Sequence, residues 1–414
     1  MKTYQLICSI CGKIHESGKE PYVCTHCGGQ LEPNIPLGKD VERYRKVICS
    51  GCRHGLWDYQ DILPVEGIRQ PITLGEGNTP LISANNLARS IGLKELLLKN
   101  ETLNPSGTYK DRFASVALSI EKAKNTPAVA LGSAGNAASA VSAYSAKAGM
   151  PCFVLLPPGA VAERGWQVQG YGAKLIRMEH TIDDCINMAK KGEELFGWKS
   201  LTTNMLMNPL ASDGYKTIAY EIGKQMSFKA PDWIVVPVGG GALLSKIYKG
   251  YCDMFDLGLV DKMPHFVGAQ ADSCAPLVDA YQKGLSSPEK WKGIPQTIAF
   301  AIADVCVYDG VTTMSAVTAS NGCAIAVSDE KILDAMHMIA QQEGIIAEPA
   351  SACSLACTKE LVEQGAIKHS ESVVCILSGS GLRDLKLFKE MQEDEVPVSC
   401  GDTGAVSKIV HQFL

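Results

Sequence analysis

Seven short, almost continuously apolar runs recur from about residue 70 onward, with segments of helical spacing between many of them. This alternation limits the fold more than any other feature of the chain. The runs are "ELLLK" (95–99), "AVALG" (128–132), "CFVLLP" (152–157), "KLIRM" (174–178), "WIVVPV" (233–238), "HFVGAQ" (265–270) and "SVVCILS" (372–378). The segments 136–149, 181–197, 213–226 and 328–344 carry apolar residues at helical spacing. A half-solvated antiparallel sheet would alternate apolar with polar positions. Strands that are apolar throughout and separated by helices imply an α/β chain of mostly parallel sheets covered on both faces.

At 414 residues the chain is too long for one ordinary core, so two or three domains are expected. Its 46% hydrophobic and 20% charged residues fit a folded globular protein. A net charge of -5 gives no electrostatic reason to expect a nucleic-acid partner. The uncharged stretch 125–146 is too rich in Gly, Ser and Asn for a membrane span. The opening "MKTYQLICSICGKIHES" lacks the basic-then-apolar pattern of a secretory leader, so a cytoplasmic location is expected.

Six of the 16 cysteines fall in the first 52 residues as three Cys-x-x-Cys pairs: Cys8/Cys11, Cys24/Cys27 and Cys49/Cys52. In a chain without an export signal, such pairs favour metal ligation over disulfides. Two knuckles supply four converging thiolates, the ligand set of a structural zinc site. Cys8, Cys11, Cys24 and Cys27 are therefore expected to hold zinc, with Gly12 and Gly28 turning the knuckles. Cys49/Cys52 could replace one pair, serve a second ion, or be spare. His15, His26 and His54 read as surface residues.

Three Gly-containing turns follow apolar runs. Gly132-Ser133-Ala134-Gly135-Asn136 leads into an Ala-rich helical segment, whose first N–H groups suit a carboxylate. Gly239-Gly240-Gly241 repeats the arrangement as a cradle for phosphate, and "CILSGSGLRD" ends a strand with Ser378. "GGGA" does not match the dinucleotide fingerprint. Upstream, Asn104-Pro105-Ser106-Gly107-Thr108-Tyr109-Lys110 sets a lysine on a rigid turn just before an apolar helix. A phosphate cradle, a carboxylate loop and a lysine on a fixed turn are what pyridoxal phosphate chemistry requires of a protein.

The segments "TLGEGNTPLI" (73–82), "KNETLNPSGTYKDR" (99–112), "GSAGNAAS" (132–139), "PVGGGALL" (237–244), "SDEKIL" (328–333), "EGIIAEPASA" (343–352) and "LSGSGLRD" (377–384) together resemble the threonine synthase family. That family lies within the tryptophan-synthase-β-like pyridoxal phosphate enzymes, and many of its members begin with a zinc ribbon. The resemblance implies a two-lobed fold-type II α/β enzyme plus that ribbon. The expected division is 1–60 for the ribbon and its extension, 61–113 with 209–395 for the cofactor lobe, 114–208 for a smaller mobile substrate lobe, and 396–414 for a tail.

The resemblance further implies that Lys110 binds the cofactor covalently and moves the α-proton. Asn136 would bond the cofactor's 3′-oxygen, Gly239, Gly240, Gly241, Ala242 and Leu243 would wrap its phosphate, and Ser378 would meet its ring nitrogen. Ser133, Ala134, Gly135 and Ala137 would bind the substrate. Asp111 and Arg112 read as a structural ion pair. The implied reaction turns O-phosphohomoserine and water into threonine and phosphate, in a homodimer. The alternative is β-elimination or β-replacement on serine, threonine or an activated amino acid, of ammonia-lyase or cysteate-synthase type. Three departures bear on that choice. Ala134 and Ala137 stand where relatives commonly have threonines, and Leu210-Ala211 where they often have an arginine. The cradle Gly239-Gly240-Gly241-Ala242-Leu243 is closer to that of serine/threonine ammonia-lyases than to the family's usual Gly-Asn-Ala-Gly-Asn. Lys216 and Arg164 are basic residues that could take over such a contact.

Overall fold

The computed structural model describes residues 4–16, 22–50, 54–133, 135–158, 162–179, 181–391 and 403–411. The chain divides into a unit of Met1–Arg383 and a C-terminal unit of Asp384–Leu414. The latter holds a 3-10 turn at Leu385–Met391 and a helix at Thr403–Val410.

In the larger unit the strands run β1 (Gln5–Cys8), β2 (Ile14–His15), β3 (Leu31–Asn34), β4 (Leu81–Ser83), β5 (Glu95–Asn100), β6 (Val129–Gly132) and β7 (Cys152–Leu156). They continue as β8 (Lys174–Arg177), β9 (Lys199–Ser200), β10 (Trp233–Pro237), β11 (His265–Ala271), β12 (Cys323–Val327) and β13 (Ser372–Leu377). All seven apolar runs are strands. Three sheets result: β2-β1-β3, β12-β11-β10-β13-β5-β4 and β8-β7-β6-β9. Every pairing in the two larger sheets is parallel except β4 on β5, an antiparallel edge of three residues.

Local chemistry sets the helix boundaries. Thr181 caps the helix Ile182–Phe196 through a capping box with Asp184, and Gly197 ends it in the left-handed region. Ser328 caps Asp329–Glu343 by accepting from Lys331 N–H, and Gly344 closes it.

Topology places the site. β10, β13 and β5 are neighbours, so the segments leaving their C-terminal ends also lie side by side. Those segments are the Gly239 turn, the Ser378 loop and the Lys110 turn. Such an end of a parallel sheet is where α/β proteins collect ligand-binding loops. β6, central in the four-stranded sheet, delivers the segment that begins at Ser133 in the same way.

Beneath the Lys110 turn lies a buried charge network. Arg112 forks onto Glu101 at 2.8 and 2.7 Å and onto Glu221 at 2.6 and 2.8 Å, and Lys99 reaches Glu221 at 2.7 Å. All four side chains are fully buried. The expected Asp111–Arg112 pair is therefore corrected. Neighbours in sequence at a helix start, the two point to different sides of it, and Asp111 instead accepts from Ser106 N–H at 2.6 Å and from its hydroxyl. Those bonds tie the helix back onto the turn. No helix among the described residues is long and apolar enough to cross a membrane.

Candidate active site

Lys110 is the first residue of the helix Lys110–Ala123. The turn before it is stitched on both sides. Gly107, at φ +81°, donates to Asn104 O at 2.7 Å, while Tyr109 N–H and Thr108 Oγ1 both donate to Ser378 O, at 3.0 and 3.1 Å. Ser380 N–H returns a bond to Gly107 O at 2.8 Å. Lys110 and Ser378 are thus held in fixed relation by bonds between the loops of adjacent strands. Lys110 Nζ donates to Thr203 Oγ1 at 2.8 Å and lies 4.8 Å from the Tyr109 ring centroid.

A cavity of about 400 Å³ brings the predicted residues together. Lys110, Ser133, Gly135, Asn136 and Ala137 line one part, and Gly239 to Leu243 with Ser378 another. Ala134, Cys52 and the Arg164 side chain lie outside the described residues. Gly241, at φ +98°, opens the 15-residue helix Ala242–Asp256 with no side-chain cap, leaving the first N–H groups for a ligand anion. Two of its three glycines sit where a side chain would be crowded. A Cβ on Gly239 would sit 2.6 Å from Asp304 Oδ2, and one on Gly241 would run into Thr313 Oγ1 on a neighbouring helix. Asn204 also lines the cavity. It is almost wholly buried, and its Nδ2 is without a partner among the described atoms. A glycine cradle, open helix N–H groups, an unpartnered amide and a lysine fit pyridoxal phosphate with an amino acid beside it.

Several site residues carried no sequence signal strong enough to assign them. Glu348 occupies the N-cap position of the helix Pro349–Glu363, and Ser378 Oγ donates to its carboxylate at 3.1 Å. Arg383 donates to Asn136 Oδ1 and to Ser106 O. Burial raises the Asp304 carboxyl to about 6, against the opposing pull of Lys110. Asp183 takes Tyr308 OH at 3.0 Å and Lys290 at 3.1 Å. The phrase "AEPAS" contains Glu348 and a helix-starting proline, which was the available clue.

Leu210 and Ala211 do not line this cavity. They border a small crevice beside Tyr22, Ile120 and Glu121, and Leu210 packs with Tyr4, Leu6 and Leu31 of the ribbon. Lys216 is buried against Asp213 at 2.7 Å, so it cannot reach a substrate.

In the ribbon the four predicted sulfurs lie within 4.8 Å of one another. Cys8–Cys27 and Cys11–Cys24 are 3.4 and 3.7 Å apart, near the edge of about 3.8 Å that a tetrahedron of Zn–S bonds requires. Gly12 and Gly28 turn the knuckles at φ +69° and +74°. The donor set therefore fits zinc. His15 is more than a surface residue, since its Nε2 sits 3.3 Å from Cys24 Sγ.

The class these features define is a pyridoxal phosphate enzyme, and the family model described as "Pyridoxal-phosphate dependent enzyme" matches residues 72–379. The threonine synthase of Methanocaldococcus jannaschii is 36% identical over 407 residues, 98% of this chain and 99% of that protein. That of Methanosarcina acetivorans is 37% identical over 403 residues, 95% and 96% of the two chains. The chain belongs to the threonine synthase family of pyridoxal-phosphate-dependent enzymes, with pyridoxal phosphate as its cofactor. Among solved structures it is similar in fold to serine racemase from Dictyostelium discoideum, with a TM-score of 0.61 at 24% identity over 73% of this chain and 92% of that one. Diaminopropionate ammonia lyase from Escherichia coli gives 0.65 at 18%, over 77% and 88%.

Proposed function

We propose that this enzyme converts O-phosphohomoserine and water into threonine and phosphate. The observation that carries the reading is Lys110 Nζ facing the same cavity as the glycine cradle, in a chain matched end to end by threonine synthases. Bound there, pyridoxal phosphate would supply an electron sink that makes the proton on the substrate's amino-bearing carbon, and then those on the carbon beside it, labile. Gly239 to Leu243 hold its phosphate by backbone N–H groups. Asn136 and Ser378 hold its ring edge, both braced by Glu348. Ser133, Gly135 and the start of the helix Asn136–Ala148 would bind the substrate carboxylate. Lys110 takes and returns the proton at Cα, within reach of Thr203 as a hydrogen-bond partner. Asn204 Nδ2 is a donor for the departing phosphate.

The lobes follow the two large sheets. The part from 114 to 208 carries the carboxylate loop and would close on the cofactor part, shutting out water. A homodimer and a cytoplasmic location belong to the same reading.

One observation favours the alternative of β-elimination or β-replacement on a smaller amino acid. Among the described lining residues Lys110 is the single cation, set beside Asp183, Asp304 and Glu348. A second phosphate would meet these three carboxyls and, among the described lining residues, no further cation. Assaying O-phosphohomoserine, O-phosphoserine, serine and threonine for phosphate, threonine and keto acid decides between them. Threonine and phosphate from phosphohomoserine are expected, with both lost in Lys110→Ala. Keto acid from serine or threonine alone would move the assignment to the alternative.

A further inference from the structure

The ribbon touches the rest of the larger unit through a charge. β3 pairs with β1 so that Ile7 faces Glu32 and Cys8 faces Leu31. Ser9 N–H donates to Gln30 O at 2.9 Å, and Leu31 N–H to Tyr22 O at 3.3 Å. Residues 30–32 are therefore held between the segments that carry the two knuckles. From this position Glu32 Oε2 reaches Lys246 Nζ at 3.4 Å.

Lys246 is fully buried and sits in the second turn of the helix whose first turn is the phosphate cradle. Asp213 is its other partner, at 2.9 Å, and Asp213 is shared with Lys216. Burial opposes the charge on Lys246, but Asp213 and Glu32 outweigh it and raise its pKa. A second link closes the circuit. Asp309, within the field of Lys246 and Glu32, accepts from Met205 N–H at 3.0 Å and donates its own N–H to Gly240 O at 2.8 Å. Asp309 thus touches the cradle turn and the segment just after Thr203 and Asn204, while the cluster acts on it through its field.

We propose that Glu32 is a positioning residue for the cofactor cradle, coupling metal occupancy of the ribbon to cofactor affinity through Lys246. β3 keeps its pairing with β1 and a small apolar cluster of Tyr4, Leu6, Tyr22 and Leu31 with Leu210. Without metal, however, the two knuckles that flank it lose the four-thiolate tie between them, and Glu32 loses part of what fixes its position. A buried ammonium that loses one of two carboxylates keeps its desolvation cost and re-aims toward what remains. The helix start carrying the cradle moves with it. This rests on the pyridoxal phosphate reading of the cavity.

The test is a thermodynamic cycle on the full chain. Cofactor-free protein, with zinc bound or chelated, is titrated with pyridoxal phosphate by absorbance, for the natural sequence and for Glu32→Gln and Glu32→Asp. Zinc removal is expected to weaken cofactor binding about fivefold or more in the natural protein, and by a factor near one in both variants. Glu32→Asp keeps the charge but not the reach, so its loss of coupling separates position from field. Linkage requires the reciprocal result as well: bound cofactor tightens zinc by the same factor. A ratio near one in the natural protein, or an unchanged ratio in Glu32→Gln, overturns the coupling. Absence of any cofactor binding to the natural, zinc-loaded protein would instead overturn the family reading of the cavity.

Discussion

Asn136 Nδ2 donates to both carboxylate oxygens of Glu348, at 3.0 and 2.9 Å. Asn136 opens the helix after β6, and Glu348 immediately precedes the helix Pro349–Glu363, which packs on the six-stranded sheet. One buried carboxylate therefore spans the elements of two sheets and also receives Ser378.

Glu348→Gln should leave the fold and bound cofactor in place while loosening both Asn136 and Ser378. Losing a charge-assisted bond costs about 1.5–3 kcal/mol, or roughly 10- to 100-fold in kcat/KM. Steady-state kinetics with the cofactor absorbance recorded alongside will check this. A kcat/KM within about twofold of the natural enzyme would show that this bracing does not limit the reaction.

Arg112→Ala should destabilise the protein by about 3–5 kcal/mol, because it leaves Glu101 and Glu221 facing each other with Lys99 alone. Arg112→Lys should recover part of this, since an ammonium keeps the charge but cannot fork onto two carboxylates. Urea unfolding measures both, and a cost below about 1 kcal/mol for the alanine variant would refute the network's role. The same network sets an acid limit. Burial opposes ionisation of Glu221, yet Arg112 and Lys99 bring it down to about 2. That contribution is fully present above the ordinary glutamate value and is lost as pH falls through 2.

Asp309 sets a trend of opposite sign. Burial raises it to about 7, and its Oδ2 has no partner among the described atoms. A carboxyl raised in the folded state contributes stability that is complete below its ordinary value of about 3.9 and is lost as pH climbs through about 7. Asp309→Asn removes that titration and can still accept from Met205 N–H. The natural protein should therefore lose stability between about pH 5 and 8, and the asparagine variant should lose less over that interval, by unfolding midpoints at the two pH values. Parallel losses in both proteins would place the titration elsewhere.

The sequence by itself determined the parts whose cause is local. Continuous apolar runs such as "WIVVPV" became parallel strands because both faces are covered. Glycine-rich turns became strand-to-helix connections because φ at Gly107 and Gly241 is positive. Two Cys-x-x-Cys knuckles placed four sulfurs together because each pair already converges. Lys110 was legible because its turn fixes it within a few residues. β4 and β9, of three and two residues, carried too little pattern to read. β12, "CAIAV", is as apolar and as long as β10 yet is not among the seven runs; it pairs with β11 at the sheet edge. Only the tertiary structure decided the side-chain partnerships across long separations. It took Arg112 from its neighbour Asp111 to Glu101 and Glu221, set Glu348 against Asn136, turned Leu210 toward the ribbon, and brought Glu32 to Lys246. A buried charge takes whichever partner the packed helices and strands bring within hydrogen-bond reach, and that choice is written in the topology rather than in adjacent residues.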